Sequence, residues 1–178
     1  AESIKLRPNV PEDFQERARQ EAVGYYGHCT ALDTCVGQLL DTLAETGIAE
    51  NTIVVFTSDH GEMLGSQGQP PQEKQRPWDE SVCVPFLLRW PKGQAGAGRA
   101  VKIPLNTPDI LPTLLSLAGV PVPPSLEGVD LAAHVRRAAE EQDRAALIMN
   151  VSPFAGYFDG CEYRGIRTAT HTYVRNLD

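Results

Sequence analysis

Three features of this 178-residue sequence predict an α/β fold. Residues 12–46 carry a long helical period that stops at Gly47. A β-branched apolar run, Thr52–Thr57, follows after only the short connection Ile48–Asn51, and a helix feeding a strand through a short loop is the repeating piece of α/β folds. Three short strand patterns close the chain over residues 145–175.

The elements follow in order. Ala22, Tyr25, Tyr26, Cys29, Leu32, Val36, Leu39, Leu40 and Leu43 recur at three- and four-residue steps, the mark of an amphipathic helix. Gly24 marks a break or a close packing contact within it, and Gly47 suits a left-handed helix end. Thr52–Thr57 has the composition of a central strand covered on both faces. Residues 65–79, GSQGQPPQEKQRPWD, have no period and form a loop longer than a simple connector, which favours a functional role. Val82–Trp90 returns to a strand pattern. A second helix begins at Asn106 or Thr107 with Pro108 at its first position, turns Ile110, Leu111, Leu114, Leu115 and Leu117 to one side, and ends at Gly119. Leu131–Gln142 reads as a charged, solvent-facing helix. Ala145–Val151, Glu162–Thr168 and Thr172–Arg175 are the three strands, with turns at Phe154–Gly156 and Asp159–Gly160.

The formal net charge of −7 argues against a broad surface for nucleic acid or anionic membrane, and no apolar run reaches membrane-spanning length. AESIKLRPNV lacks the apolar core of a secretory signal, and both ends read as cut from a longer chain, so the compartment stays open. Cys29, Cys35, Cys83 and Cys161 form no C-x-x-C pair, and buried free thiols are expected at all four.

The candidate chemistry sits where the first strand ends, in IVVFTSDHGE at 53–62. Ligands of open α/β sheets bind at the carboxyl ends of strands, and Asp59 with His60 could there share a divalent cation, with Gly61 bending the chain. The same residues also allow Asp59 to cap a following helix with His60 merely polar. Lys74, in the loop leaving that strand end, could hold an anionic oxygen as a point charge, with Arg76 two residues on; it could equally be a solvated lysine. His28, His134 and His171 read as structural or solvated.

The order N-T-I-V-V-F-T-S-D-H-G-E-M-L-G at 51–65, then Lys74, then W-D-E-S-V-C-V-P-F-L-L-R at 78–89, resembles the sulfatase family of the alkaline-phosphatase-like superfamily. Tyr26–Leu40, Thr107–Leu115 with Ala118-Gly119, and Gly165–Thr168 with Tyr173–Arg175 resemble its flanking helices and its terminal hairpin. The resemblance implies a fragment of an α/β/α sandwich with a mostly parallel central sheet and a carboxy-terminal antiparallel hairpin. It further implies Asp59 and His60 as cation ligands, normally of Ca²⁺ (Mg²⁺ or Mn²⁺ as substitutes), and Lys74 as a catalytic residue that also contacts the sulfate. Gln67 and Arg76 are further candidates for substrate contact. The implied substrate is a small-molecule or carbohydrate sulfate ester, with oligomeric state open.

Three departures accompany the resemblance. Cys83-Val84-Pro85 imitates the C/S-x-P-x-R segment that yields the family's formylglycine nucleophile, but Leu87 replaces its Arg and the segment follows the lysine, so Cys83 is not the nucleophile. The family's Asp-Asp pair and upstream histidine are absent. Gln67 stands in G-S-Q-G where many members have histidine, which bears on the leaving group. The expectation is therefore one partial domain over 1–178, the carboxy-terminal portion of a sulfatase domain, with a terminal strand region from 145. The formylglycine is expected in the missing amino-terminal half, and the chain alone is expected to be inactive and prone to associate. A phosphodiester or phosphonate monoester hydrolase, and a non-catalytic module that keeps the fold, are the alternatives.

Overall fold

The computed structural model describes residues 3–93, 98–136, 143–151 and 162–176. The chain divides into two compact units, Ala1–Leu88 and Arg89–Asp178. Among the described residues, no helix is long and apolar enough to cross a membrane.

The first unit begins with helix α1, Gln15–Glu45, which at about 1.5 Å per residue is roughly 46 Å long. It ends as its sequence predicts. Gly47 adopts φ +73°, its N–H reaches the Ala44 carbonyl at 3.1 Å and the Ile48 N–H reaches Leu43 at 3.2 Å, which closes a Schellman motif. Gly24 neither breaks the helix nor meets a neighbour. The predicted apolar stripe is real as a pattern but is not buried. Ala22 is covered, whereas Tyr25, Tyr26, Leu32 and Leu39 are exposed. The elements packed most closely on α1, the turns Glu12–Phe14 and Ala49–Asn51, lie at its two ends and leave the stripe open. The expectation of buried thiols fails for the same reason. Cys29 and Cys35 are free and exposed on α1, Cys83 is free and exposed directly after the short helix Asp79–Val82, and Cys161 lies outside the described residues.

Strand β1, Val54–Thr57, pairs with β2, Phe86–Arg89. Both are half-buried rather than covered on two faces. The predicted strand Val82–Trp90 is shorter than expected because α2, Asp79–Val82, takes its start. Asp79 and Glu80 favour a helix amino end, and Pro85, with no N–H to donate, holds the ladder back until Phe86. The long loop before α2 is not loose. Met63, Ser66 and Ser81 are buried, the Met63 N–H donates to the Glu73 carbonyl at 3.1 Å, and Glu62 Oε1 accepts the N–H groups of Leu64 (3.2 Å) and Gln72 (2.8 Å).

The second unit is built on α3, Thr107–Ala118. Asn106 caps it, its own N–H donating to Asp109 Oδ2 at 2.8 Å in a capping box. Pro108 occupies the second helical position rather than the first, and Gly119 at φ +76° ends the helix. Pro112, fully buried inside α3, has no N–H for the carbonyl of Pro108, and Gly128 backs onto that carbonyl so closely that a Cβ would lie 1.9 Å from its oxygen. Asp109, 2% exposed, also accepts the Val129 N–H (2.8 Å) and the Arg144 guanidinium (2.7 Å). The Thr113 hydroxyl accepts the Leu131 N–H at 3.0 Å. This docking explains why the predicted solvent-facing helix Leu131–Gln142 differs. Helix α4 spans only Ala132–Val135, Leu131, Ala132 and His134 are buried, and residues 137–142 lie outside the described set. Strands β3 (Ala146–Asn150), β4 (Tyr163–Arg167) and β5 (Thr172–Asn176) form an antiparallel sheet in that order, as expected to within a residue or two. The turns predicted at 154–160 lie outside the described residues.

Candidate functional site

The chain leaves β1 through Ser58, whose hydroxyl donates to the His60 carbonyl at 2.7 Å and turns the backbone into a tight loop. No helix follows Asp59, so its role is not that of a helix cap. Its Oδ1 accepts the His60 N–H at 2.9 Å, and its side chain is 84% exposed. That backbone N–H, followed by the charge of His60, holds the Asp59 carboxyl below its ordinary value.

The imidazole is oriented from its other side. His60 Nδ1 lies 2.8 Å from the Gly61 carbonyl oxygen. A carbonyl oxygen can only accept, so in the neutral ring Nδ1 carries the proton and Nε2 keeps its lone pair. Nε2 in turn lies 3.6 Å from Asp59 Oδ2. Two donors about 2.3 Å from one ion, with an angle near 100° between them, stand about 3.5 Å apart, so this donor pair suits one divalent cation. A metal-binding imidazole commonly donates its other ring N–H to a backbone carbonyl in this way, which fixes the tautomer and the ring orientation. Among the described residues, no three His, Cys, Asp or Glu side chains gather around a common point.

Gly61 is required for a reason the sequence does not show. Its φ lies outside the left-handed region, so the turn itself does not demand glycine. What demands it is close approach. A Cβ at Gly61 would lie 2.0 Å from the Glu80 carbonyl oxygen, and the Gly61 N–H donates to the Ser81 carbonyl at 2.7 Å. The strand end is thus pressed against α2.

Lys74 is fastened to the same helix. The Ser81 hydroxyl donates to the Lys74 carbonyl, while Glu73 Oε1 accepts the N–H groups of Lys74 and Gln75, each at 3.2 Å. The peptides on both sides of Lys74 are held, and the residue is exposed. Arg76 leans back on Glu73, with its Nε 3.9 Å from Glu73 Oε1 and buried without a hydrogen-bond partner. Gln67 is exposed and sits at φ +58°, its N–H held by the Asn9 carbonyl at 3.0 Å. Leu64 and Gln72, at φ +47° and +75°, are likewise left-handed, so this one loop holds three non-glycine residues in a costly conformation.

Sequence reasoning did not single out Ser81, Glu73, Glu62 or Glu80. Glu80 Oε1 accepts from Asn9 Nδ2 at 2.8 Å and lies 3.7 Å from Arg7 Nη1, which lashes residues 7–9 to α2. The signal for them in the sequence is the W-D-E-S block itself, whose Glu80 and Ser81 make these contacts. Of the other histidines, His28 and His171 are exposed and His134 is buried beside α3.

The family model described as Sulfatase matches residues 6–120, and that described as N-sulphoglucosamine sulphohydrolase, C-terminal, matches residues 72–177. An ulvan-active sulfatase from Formosa agariphila is 48% identical over 177 residues, 99% of this chain and 35% of that protein. The chain thus spans about a third of the length of the curated relatives it matches. Among solved structures, one from work on the metabolism of multiple glycosaminoglycans by Bacteroides thetaiotaomicron superposes with TM-score 0.80 at 31% identity, over 99% of this chain and 37% of that one. Another, solved in complex with its substrate D-glucosamine-2-N,6-O-disulfate, gives 0.66 at 29% identity, over 82% and 29%. A phosphonate monoester hydrolase of Agrobacterium radiobacter gives 0.73 at 30% identity, over 85% and 32%. These likenesses bear out the expected α/β class with its antiparallel carboxy-terminal sheet. Two family models that each cover more than half the residues, and a relative 48% identical along nearly the whole chain, place it: this chain belongs to the sulfatase family.

Proposed function

We propose that the whole protein is a sulfuric ester hydrolase, and that residues 1–178 supply the carboxy-terminal portion of its catalytic domain, with a terminal strand region from 145. The observation that supports this most is the pair at the end of β1, an open carboxylate 3.6 Å from an imidazole Nε2 whose ring is oriented through Nδ1. Asp59 and His60 would hold a divalent cation, Ca²⁺ in the first place, with Mg²⁺ or Mn²⁺ as substitutes. Bound there, the cation would neutralise sulfuryl oxygen charge as the ester bond breaks.

Lys74 would present its ammonium to another sulfate oxygen, a compact charge on a flexible stem rising from a fixed backbone. Gln67 offers an exposed amide toward the leaving group, and Arg76, leaning on Glu73, adds positive potential behind Lys74. The nucleophile would be a formylglycine. The sequence contains no C/S-x-P-x-R segment, so it would come from residues beyond these 178, and the chain by itself is expected to be inactive. A sulfated carbohydrate is the substrate class, by likeness to the ulvan-active sulfatase and to the neighbour solved with a disulfated glucosamine.

The likeness to a phosphonate monoester hydrolase favours one second reading, a phosphoester or phosphonate hydrolase with the same cation chemistry. Hydrolysis of an aryl sulfate and an aryl phosphodiester by the full-length enzyme, before and after EDTA, separates the two. The sulfatase reading expects faster sulfate hydrolysis, lost with EDTA and restored by Ca²⁺, and strongly reduced in Asp59→Ala and His60→Ala. A strong phosphodiester preference would sink it. No hydrolysis of either ester, together with a thermal stability indifferent to EDTA and Ca²⁺, would point instead to a non-catalytic module.

A further inference from the structure

We propose that Ser81 is the positioning residue that couples Lys74 to the Asp59–His60 strand end. The proposal rests on the sulfatase reading for what Lys74, Asp59 and His60 do, but the coupling is read from the geometry alone.

Ser81 is 3% exposed, on α2, and each of its polar groups has a distinct partner. Its N–H donates to the Trp78 carbonyl at 2.9 Å and belongs to the helix. Its carbonyl accepts the Gly61 N–H at 2.7 Å and holds the end of the β1 loop. Its hydroxyl donates to the Lys74 carbonyl and holds the loop that carries the lysine. One buried residue therefore touches both candidate elements of the site, the end of the β1 loop and the long Gly/Pro/Gln loop that carries Lys74, which also meet through Met63–Glu73 and Glu62–Gln72.

The two tethers differ chemically, and that makes the coupling testable. The link to Gly61 runs through the Ser81 backbone, which any substitution keeps. The link to Lys74 runs through the side chain, which alanine removes. The lysine stem is flexible, so the fixed part of Lys74 is its backbone, pinned by Glu73 on the N–H side and by Ser81 on the carbonyl side. Without the hydroxyl, the peptide on the carbonyl side keeps only the 3.2 Å bond from the Gln75 N–H to Glu73 Oε1, and the ammonium samples a wider volume. Misplacement of a charged group by about 1 Å is worth up to about 100-fold in rate. Helix α2 is a suitable post for both tethers, because Glu80 anchors it to Asn9 at 2.8 Å and to Arg7 at 3.7 Å.

The test is a double-mutant cycle in the full-length enzyme, with kcat and KM on an aryl sulfate and Ca²⁺ affinity by calorimetry. Ser81→Ala is expected to lower kcat/KM by about 10- to 100-fold and to leave Ca²⁺ affinity within about twofold. Ser81→Thr, which keeps the hydroxyl, is expected to recover most of the loss. In a Lys74→Ala background, Ser81→Ala should add nothing further. An equal loss in that background, a parallel loss of Ca²⁺ affinity, or wild-type kcat/KM in Ser81→Ala beside a crippled Lys74→Ala would each overturn the coupling while leaving the sulfatase reading standing. Wild-type kcat/KM in Lys74→Ala would refute the role given to Lys74, and the coupling with it. If Ser81→Ala does not fold, Ser81→Cys, whose thiol is a weak donor, is judged against the same outcomes.

Discussion

Gly61→Ala adds one methyl group at the point where the β1 loop meets α2. Its Cβ would stand 2.0 Å from the Glu80 carbonyl oxygen, 2.9 Å from the Glu80 carbonyl carbon and 3.2 Å from the Ser81 oxygen. Carbon and oxygen in ordinary contact stand about 3.3 Å apart, so the two segments must part by roughly 1.3 Å. That shift stretches the 2.7 Å bond from the Gly61 N–H to the Ser81 carbonyl to about 4 Å, beyond hydrogen-bonding reach. Losing the bond costs about 1 kcal/mol and forcing the methyl in costs about 1–3 kcal/mol, for a total of about 2–4 kcal/mol. In urea, with a slope of about 2 kcal/mol/M, the midpoint should fall by about 1–2 M, read by tryptophan fluorescence. Because Gly61 is not left-handed, none of this loss is conformational. Gly37→Ala is the opposite control. It lies inside α1 with nothing within 4 Å of an added Cβ, so helix propensity alone should stabilise it by up to about 1 kcal/mol. A Gly61→Ala midpoint within about 0.3 M of the parent would refute the close-approach argument.

Two further outcomes concern the second unit. Asp109→Ala removes the acceptor shared by Asn106, Val129 and Arg144 and strands a largely buried guanidinium, so denaturation should report a loss of about 3–5 kcal/mol. Burial raises the ionisation of the Tyr163 phenol above its ordinary value. A raised folded value means that the unfolded chain releases this proton first. The resulting stability is therefore complete below about pH 10 and is lost as pH climbs through the raised value. Melting temperatures from pH 8 to 11 should show a decline that is shallower in Tyr163→Phe; parallel profiles would count against it.

What could be read from the sequence depended on how far each residue's partner lies along the chain. The caps of α3 and the Gly47 end of α1 are contacts within a few residues, and they stand where the letters put them. The three carboxy-terminal strands are legible for the same reason, since β3, β4 and β5 pair in order. Helix α1 was legible as a helix but not in its burial, because periodicity reports which face is apolar and not what covers it. Val82 was read into a strand because its apolar neighbours outweighed Asp79 and Glu80, the acids that start α2. The clamp at Ser81 was invisible for a deeper reason. A serine has no propensity that announces a tertiary partner, and both of its partners lie outside its own helix. Asp59, His60 and Lys74 stand out as candidates by residue type and position, while the atoms that hold them in place do not.

The open stripe on α1 also turns two cysteines into instruments. Cys29 lies on the stripe, three residues from both Tyr26 and Leu32, whereas Cys35, four residues before Leu39, stands at its edge, about 9 Å further along the axis and roughly 120° round it. Both thiols are bare here. Alkylation of Cys29 and Cys35, timed against Cys83 on the separate helix end, converts the accessibility of that stripe into a chemical clock, and oxidation would convert chance encounters between chains into covalent dimers. The exposed thiols of this one helix therefore dictate how the protein is kept: in reductant, until its surface has been counted thiol by thiol.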